Sequence, residues 1–153
     1  MPIAQLNISV WKIDDTSAAA APFNDNVERM NALVERSDGF IWRLLDEGRD
    51  ANGRNVIGGP ETLMTLSVWQ SAAHLEAFAF NTVHRKIYER KAEWFAKLQS
   101  HHLVMWNIED AHRPTLDEAK QRLDHLNKHG NTDFAFDWAH LPDVKLWREK
   151  RVS

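Results

Sequence analysis

The chain contains no cysteine in its 153 residues, which excludes a disulfide framework, a thiolate nucleophile and a cysteine-ligated metal. It has no apolar run near the roughly 18 residues that read as a membrane span. Its start, MPIAQLNISVWKIDD, has neither the positive region nor the apolar stretch of a signal peptide. Positive charge is not in excess either. Nineteen Lys and Arg against 22 Asp and Glu leave a net charge of -3, so no basic field exists to attract nucleic acid or anionic lipid. GxGxxG, P-loop and GxSxG patterns are missing, which leaves dinucleotide, nucleotide and serine-hydrolase readings without support. HExxH is missing too, and the sequence predicts no metal site. These absences predict a cytoplasmic protein with no nucleic-acid and no membrane partner.

What the chain has in quantity is tryptophan: seven, with eight histidines. This much rigid aromatic surface points to a heavily aromatic core or to a pocket for a flat, apolar molecule. With 43% hydrophobic and 27% charged residues, the composition is that of a globular domain, and the length is enough to bury a core without staples.

Residues 3–13 alternate, with Leu6, Ile8 and Val10 on one face and Gln5, Asn7, Ser9 and Trp11 on the other, which predicts a strand. From Pro22, the residues Phe23, Val27, Met30 and Leu33/Val34 recur at helical spacing, and Gly39 lies beyond the last turn. Strands follow at 40–46 and 63–70, the second with Met64, Leu66 and Val68 opposite Thr65, Ser67 and Trp69. Ser71 suits an N-cap for a helix carrying Leu75, Phe78 and Ala79. A further helical stretch from about Thr82 has Ile87, Trp94, Phe95 and Leu98 as its apolar stripe. Residues 102–109 read as a fourth strand. Pro114-Thr115 then opens an amphipathic helix with Leu116, Ala119, Leu123 and Leu126 facing inward and Gly130 closing it. The last stretch reads as a docked arm with a charged tail.

The order β-α-β-β-α-β predicts an α+β, ferredoxin-like domain with an antiparallel four-stranded sheet, plus a C-terminal helix and arm. One domain is expected over residues 1–138, including the third helix at 114–129, with 139–153 as a tail. The sheet's second face also needs cover. Two sheets packed face to face would make a dimeric α+β barrel, so a homodimer is expected.

The motifs LSVWQS (66–71), the FxxxxVH step ending at His84, KAEWF (91–95) and HRPTLDEAKQRLDHL (112–126) together resemble the DUF3291 family. The resemblance runs from about residue 3 to 138, and the chain from Ala139 lies outside it. It implies the dimeric α+β-barrel superfamily, which includes antibiotic-biosynthesis-type and haem-degrading monooxygenases. The haem-degrading enzymes place an asparagine on strand 1, a tryptophan after the xVWxS motif and a histidine ligand further along. Asn7 matches the first. An ungapped alignment on LSVWQS puts Phe78 at the tryptophan position and Tyr88 at the histidine position. His84 lies one turn before Tyr88, on the same helix face.

The resemblance makes His84 and Asn7 the candidate catalytic residues. His84 would act as general base near neutral pH, and the Asn7 amide would polarise an oxygen. Asn7, Ser9, Thr65 and Ser67 share one face of adjacent strands between Trp11 and Trp69, where they either bond one another or face a ligand. Trp11, Trp42, Ser67, Trp69, Phe78, Tyr88, Trp94 and Trp106 are the candidate substrate-binding residues, with several rings expected to converge near His84. The reading that follows is cofactor-independent chemistry on a small apolar or aromatic molecule, either oxygenation or proton transfer leading to elimination or isomerisation. One alternative is a haem-binding or haem-degrading protein with His84 as axial ligand. The other is a non-catalytic small-molecule-binding protein.

Overall fold

The structure, a computed structural model, describes residues 1–45, 57–59, 61–80, 86 and 89–142. Four strands, β1 (Ile3–Val10), β2 (Phe40–Arg43), β3 (Thr62–Trp69) and β4 (Leu103–Asn107), form one sheet in the order β2-β3-β1-β4. All pairings are antiparallel, so the fold is the α+β, ferredoxin-like one that the element order predicts. The two long central strands pair over their full length, from Ile3 opposite Trp69 to Val10 opposite Thr62. Among the described residues, no helix is long and apolar enough to cross a membrane.

The helix expected from Pro22 is broken. Ala21–Asn24 forms one turn (α1), and Val27–Arg36 forms the main helix (α2). The break falls at Asp25-Asn26, where the Asn26 side chain donates to the Pro22 carbonyl at 2.6 Å. Short polar side chains in the run Asn24-Asp25-Asn26 offer the backbone partners other than the helical ones. After β3, Ser71 caps α3 (Ala72–Ala79) as expected, its hydroxyl accepting the His74 amide at 3.2 Å. Of the helical stretch expected from about Thr82, residues 81–85, 87 and 88, with Ile87 among them, lie outside the described residues; α4 spans Lys91–Trp94, and Phe95 is already extended and bridges to Trp11, so the stripe stops before Leu98. The last helix, α5 (Leu116–His129), starts and stops where its signals stand. The Thr115 hydroxyl accepts the Glu118 amide, and Gly130 takes φ 75° at the C-terminus.

Because strand side chains alternate, the two faces of the sheet meet different helices. Ile3, Trp69 and Met105 pack on one face with Val34 of α2 and with Ala72, Leu75 and Phe78 of α3. The other face, with Ala4, Leu6, Leu66, Val68, Val104 and Trp106, receives Ala119, Leu123 and Leu126 of α5. The inward-facing stripe of α5 thus covers the face away from α2 and α3, over β4 and β1. On the β2–β3 half of that face Trp42, Leu44 and Met64 are only partly buried, and Leu45 beyond them is 77% exposed.

The arm closes the edge of β4. Met105 and Phe136 exchange backbone hydrogen bonds at 2.8 and 3.0 Å, and Trp138 and Leu141 then pack beside the Trp69 cluster.

Candidate functional site

The face under α2 and α3 carries a buried polar group in an aromatic setting. Gln5 and Ser67 are direct cross-strand partners, as are Asn7 and Thr65. The Gln5 amide nitrogen donates to the Ser67 hydroxyl at 2.8 Å and lies 3.4 Å from the Thr65 hydroxyl and carbonyl. The Trp69 indole N–H donates to the same Ser67 hydroxyl at 2.9 Å. Gln5 and Ser67 are each 6% exposed. Trp69 stacks on Phe78 with ring centres 5.4 Å apart and meets Phe40 edge-on at 5.6 Å. Asn7 and Ser9 continue the floor and are half-buried, while Thr65 is exposed. One half of this floor, Gln5 and Ser67, is therefore buried, and the other half is partly exposed.

An open cleft of about 300 Å³ leads to the outer side of the same cluster, lined by Ser37, Asp38, Ala73, His74, Ala77 and Phe78. The His74 ring is placed by its neighbours. Its Nδ1 is 2.7 Å from the Ser71 hydroxyl, and its Nε2 is 3.7 Å from the Asp38 carboxylate. Gly39 makes the room: at φ 83°, a Cβ there would fall 2.2 Å from the imidazole. Sequence reading passed over both Gln5 and His74 as site residues. The signal for Gln5 was its parity with Asn7 and Ser67, and for His74 the Ser71-x-x-His74 spacing beside Gly39.

Among the described residues the tryptophans fall into separate clusters, which corrects the expectation of a single aromatic site. Trp11 and Trp94 join Phe23 and Phe95 in a cluster of their own, with Trp11 and Phe95 ring centres 4.6 Å apart. The Trp94 indole N–H is committed to the Ala19 carbonyl at 2.8 Å, and the ring is fully buried. Trp42 and Trp106 lie on the α5 face. The Trp106 N–H donates to Glu118 at 2.8 Å, and the other Glu118 oxygen is 2.7 Å from His112 Nε2. Among the described residues, Trp69 is the expected tryptophan that sits with Ser67 and Phe78. Alternation across a strand separates neighbours such as Phe40 and Trp42 once a register shift falls between them. His84 and Tyr88 lie outside the described residues.

The remaining histidine features are structural in these surroundings. His112, Thr115 and Glu118 tie the start of α5 to Trp106. His125 contacts Thr132 at 3.2 Å and packs on Phe134, and its ring centre is 4.5 Å from that of His129. His102 has its pKa pushed below the ordinary value, first by desolvation and then by Lys91 and His101, with Asp137 opposing. Among the described residues, no three His, Asp or Glu side chains converge as a metal site would require.

The antiparallel β2-β3-β1-β4 sheet with helices packed on both faces defines a ferredoxin-like α+β domain. Within that class the chain belongs to the DUF3291 family, a domain of unknown function whose model matches residues 2–152 and so includes the arm and tail beyond Ala139. The structure of Rv0793 from Mycobacterium tuberculosis is similar, at 13% identity and a TM-score of 0.53 over 73% of this chain and 100% of that one. A conserved protein from Methanosarcina mazei is similar to the same degree, at 13% identity and 0.53 over 71% and 94%. SnoaB, a cofactor-independent oxygenase from Streptomyces nogalater, aligns at 12% identity and 0.48 over 72% and 95%. The first two likenesses, at these identities, bear on the fold alone. No curated protein matches the sequence.

Proposed function

We propose that the chain is a small-molecule enzyme of the α+β-barrel type, acting without a bound metal or nucleotide on an apolar or aromatic substrate. The observation that carries this reading is the buried polar group of Gln5, Ser67 and Trp69 set into an apolar face and continuous with Asn7 and Thr65. Apolar walls with a few convergent polar groups are the usual composition of a small-molecule site. In this reading Phe78 and Trp69 exclude water and orient a ring, and the Asn7 amide polarises a substrate oxygen. His84, assigned from the family resemblance, takes the proton. The anion so formed proceeds to elimination or isomerisation, or reacts with dioxygen as co-substrate.

The active form in this proposal is a homodimer. The partly buried Trp42, Leu44 and Met64, with the exposed Leu45, form an apolar half-face that α5 leaves uncovered, and a second sheet would cover it.

Crystals soaked with aromatic fragments test the reading. Density is expected against Asn7, Ser67 and Phe78. Fragments bound only on the α5 face or at the Trp11–Trp94 cluster would sink it.

A further inference from the structure

One row of side chains crosses the sheet beneath α2 and α3: Met105, Gln5, Ser67 and Arg43 are register partners on successive strands. Direct cross-strand partners on one face have Cβ atoms about 4.5–5.5 Å apart. The register shift between Phe40 and Trp42 is what brings Arg43 to this face. Its guanidinium Nε donates to Glu35 of α2 at 2.9 Å, an ion pair at the outer end of the row.

The Ser67 hydroxyl has a definite remaining capacity. The Gln5 amide is oriented with its nitrogen inward, because the Thr65 carbonyl at 3.4 Å can only accept. Ser67 Oγ therefore receives two N–H donors, from Gln5 at 2.8 Å and Trp69 at 2.9 Å, and both of its acceptor positions are filled. What is left is its own proton, on a side chain 6% exposed, and no acceptor takes that proton among the described residues. A buried donor left unmade is costly. Its natural partner is an oxygen, and the nearest charged side chain along the row is Arg43, whose Nε is taken by Glu35.

We infer that the Gln5–Ser67–Arg43 row is an oxyanion-recognising subsite, taking the carboxylate or the ionised enol or phenol oxygen of an otherwise apolar aromatic molecule. Ser67 donates to that oxygen and Arg43 supplies the opposing charge. Gln5 and Trp69 are positioning residues, which fix the Ser67 hydroxyl so that its proton points to the ligand. The inference rests on the small-molecule site proposed above and adds the chemical group which that site selects.

The test uses the full chain and two probes of equal shape, 2-naphthoate and its neutral amide 2-naphthamide. Affinity is read by calorimetry, and location by the indole N–H resonance of Trp69, assigned through Trp69→Phe. Wild-type protein is expected to bind naphthoate about tenfold more tightly than naphthamide, with the Trp69 resonance shifting on binding. Arg43→Met should remove that preference by weakening naphthoate alone, while Ser67→Ala should weaken both probes. Near-UV circular dichroism verifies that each variant is folded, and Arg43→Met keeps the test open if Ser67→Ala is not. Equal affinity for the two probes, or a naphthoate preference untouched by Arg43→Met, overturns the oxyanion inference and leaves the small-molecule site standing. Failure of both probes to shift the Trp69 resonance overturns the site itself and the inference with it.

Discussion

The indole N–H of Trp69 donates to the hydroxyl of Ser67, two residues back on the same strand, at 2.9 Å. Residues two apart on a strand share a face, so one strand supplies both the aromatic wall and the polar floor of the candidate site. Trp69→Phe keeps an aromatic ring against Phe78 and removes the donor with a smaller loss of buried ring than alanine causes. It is expected to cost about 1 kcal/mol in urea unfolding, whereas Trp69→Ala, which empties a buried indole, should cost about 3–5 kcal/mol. Equal losses for the two variants would show that the hydrogen bond, and not the packing, holds this wall.

Gly39 and His74 are coupled through space. A methyl group at Gly39 would meet the His74 ring at 2.2 Å, in a backbone conformation of φ 83° that side chains rarely adopt. Gly39→Ala should therefore destabilise by about 1–2 kcal/mol from backbone strain alone, plus the cost of displacing the imidazole. In a double-mutant cycle with His74→Ala the part of the clash made by the imidazole should vanish, while the 2.5 Å approach to the Cβ of residue 74 and the backbone strain remain. Strict additivity of the two substitutions would mean that the ring moves aside freely.

Glu118 holds two partners at once, the Trp106 indole at 2.8 Å and His112 at 2.7 Å. Glu118→Ala leaves the Trp106 N–H unpaired in a buried setting and should cost about 1–3 kcal/mol. Glu118→Gln retains an acceptor and should cost less. Chemical denaturation followed by tryptophan fluorescence separates the two, and an unchanged midpoint in Glu118→Ala would remove Glu118 as the fastening between α5 and the sheet.

His102 makes stability depend on pH in a definite direction. Its folded-state pKa is lowered, first by desolvation, below the unfolded value of 6.5. The unfolded chain therefore binds this proton more readily than the folded one. The contribution of His102 is fully present above pH 6.5 and is lost as the pH falls from there through the lowered pKa. His102→Gln should flatten the fall in thermal midpoint on that acid side and leave the midpoint near pH 8 little changed. An unaltered pH profile would show that other groups produce the slope.

The proposed homodimer predicts a light-scattering mass of twice the chain at low micromolar concentration. Trp42→Glu places a charge on the uncovered half-face and should shift the mass to that of one chain with the fold retained. A wild-type mass of one chain under the same conditions would remove the dimer from the proposal.

Much of the fold is legible in the residues themselves. The alternation of Leu6, Ile8 and Val10 against Gln5, Asn7 and Ser9 is a local pattern, and it assigns both the strand and the membership of its two faces. Ser71, Thr115 and Gly130 mark helix ends because capping is a contact between near neighbours in sequence. The Asn26 side chain that breaks the first helix is equally local, but its choice of the Pro22 carbonyl competes closely with helix continuation. The parity that groups Asn7, Thr65 and Ser67 is likewise in the sequence, and so is the family resemblance.

What the chain alone did not determine is which face each helix covers and where the rings go. Seven tryptophans in a short sequence suit one aromatic site, and only the packing divides those described into separate clusters. The inward stripe of α5 is plain from its spacing, yet its placement on the face opposite α2 and α3 depends on the path of the whole chain. The bulge at Phe40–Trp42 decides that Arg43, and not Trp42, stands opposite Ser67 on the helix-covered face. The physical reason is the same in each case. Periodicity and caps report interactions along a few consecutive residues, whereas a site is assembled from partners some sixty positions apart, as Gln5 and Ser67 are, and their meeting is a property of tertiary structure.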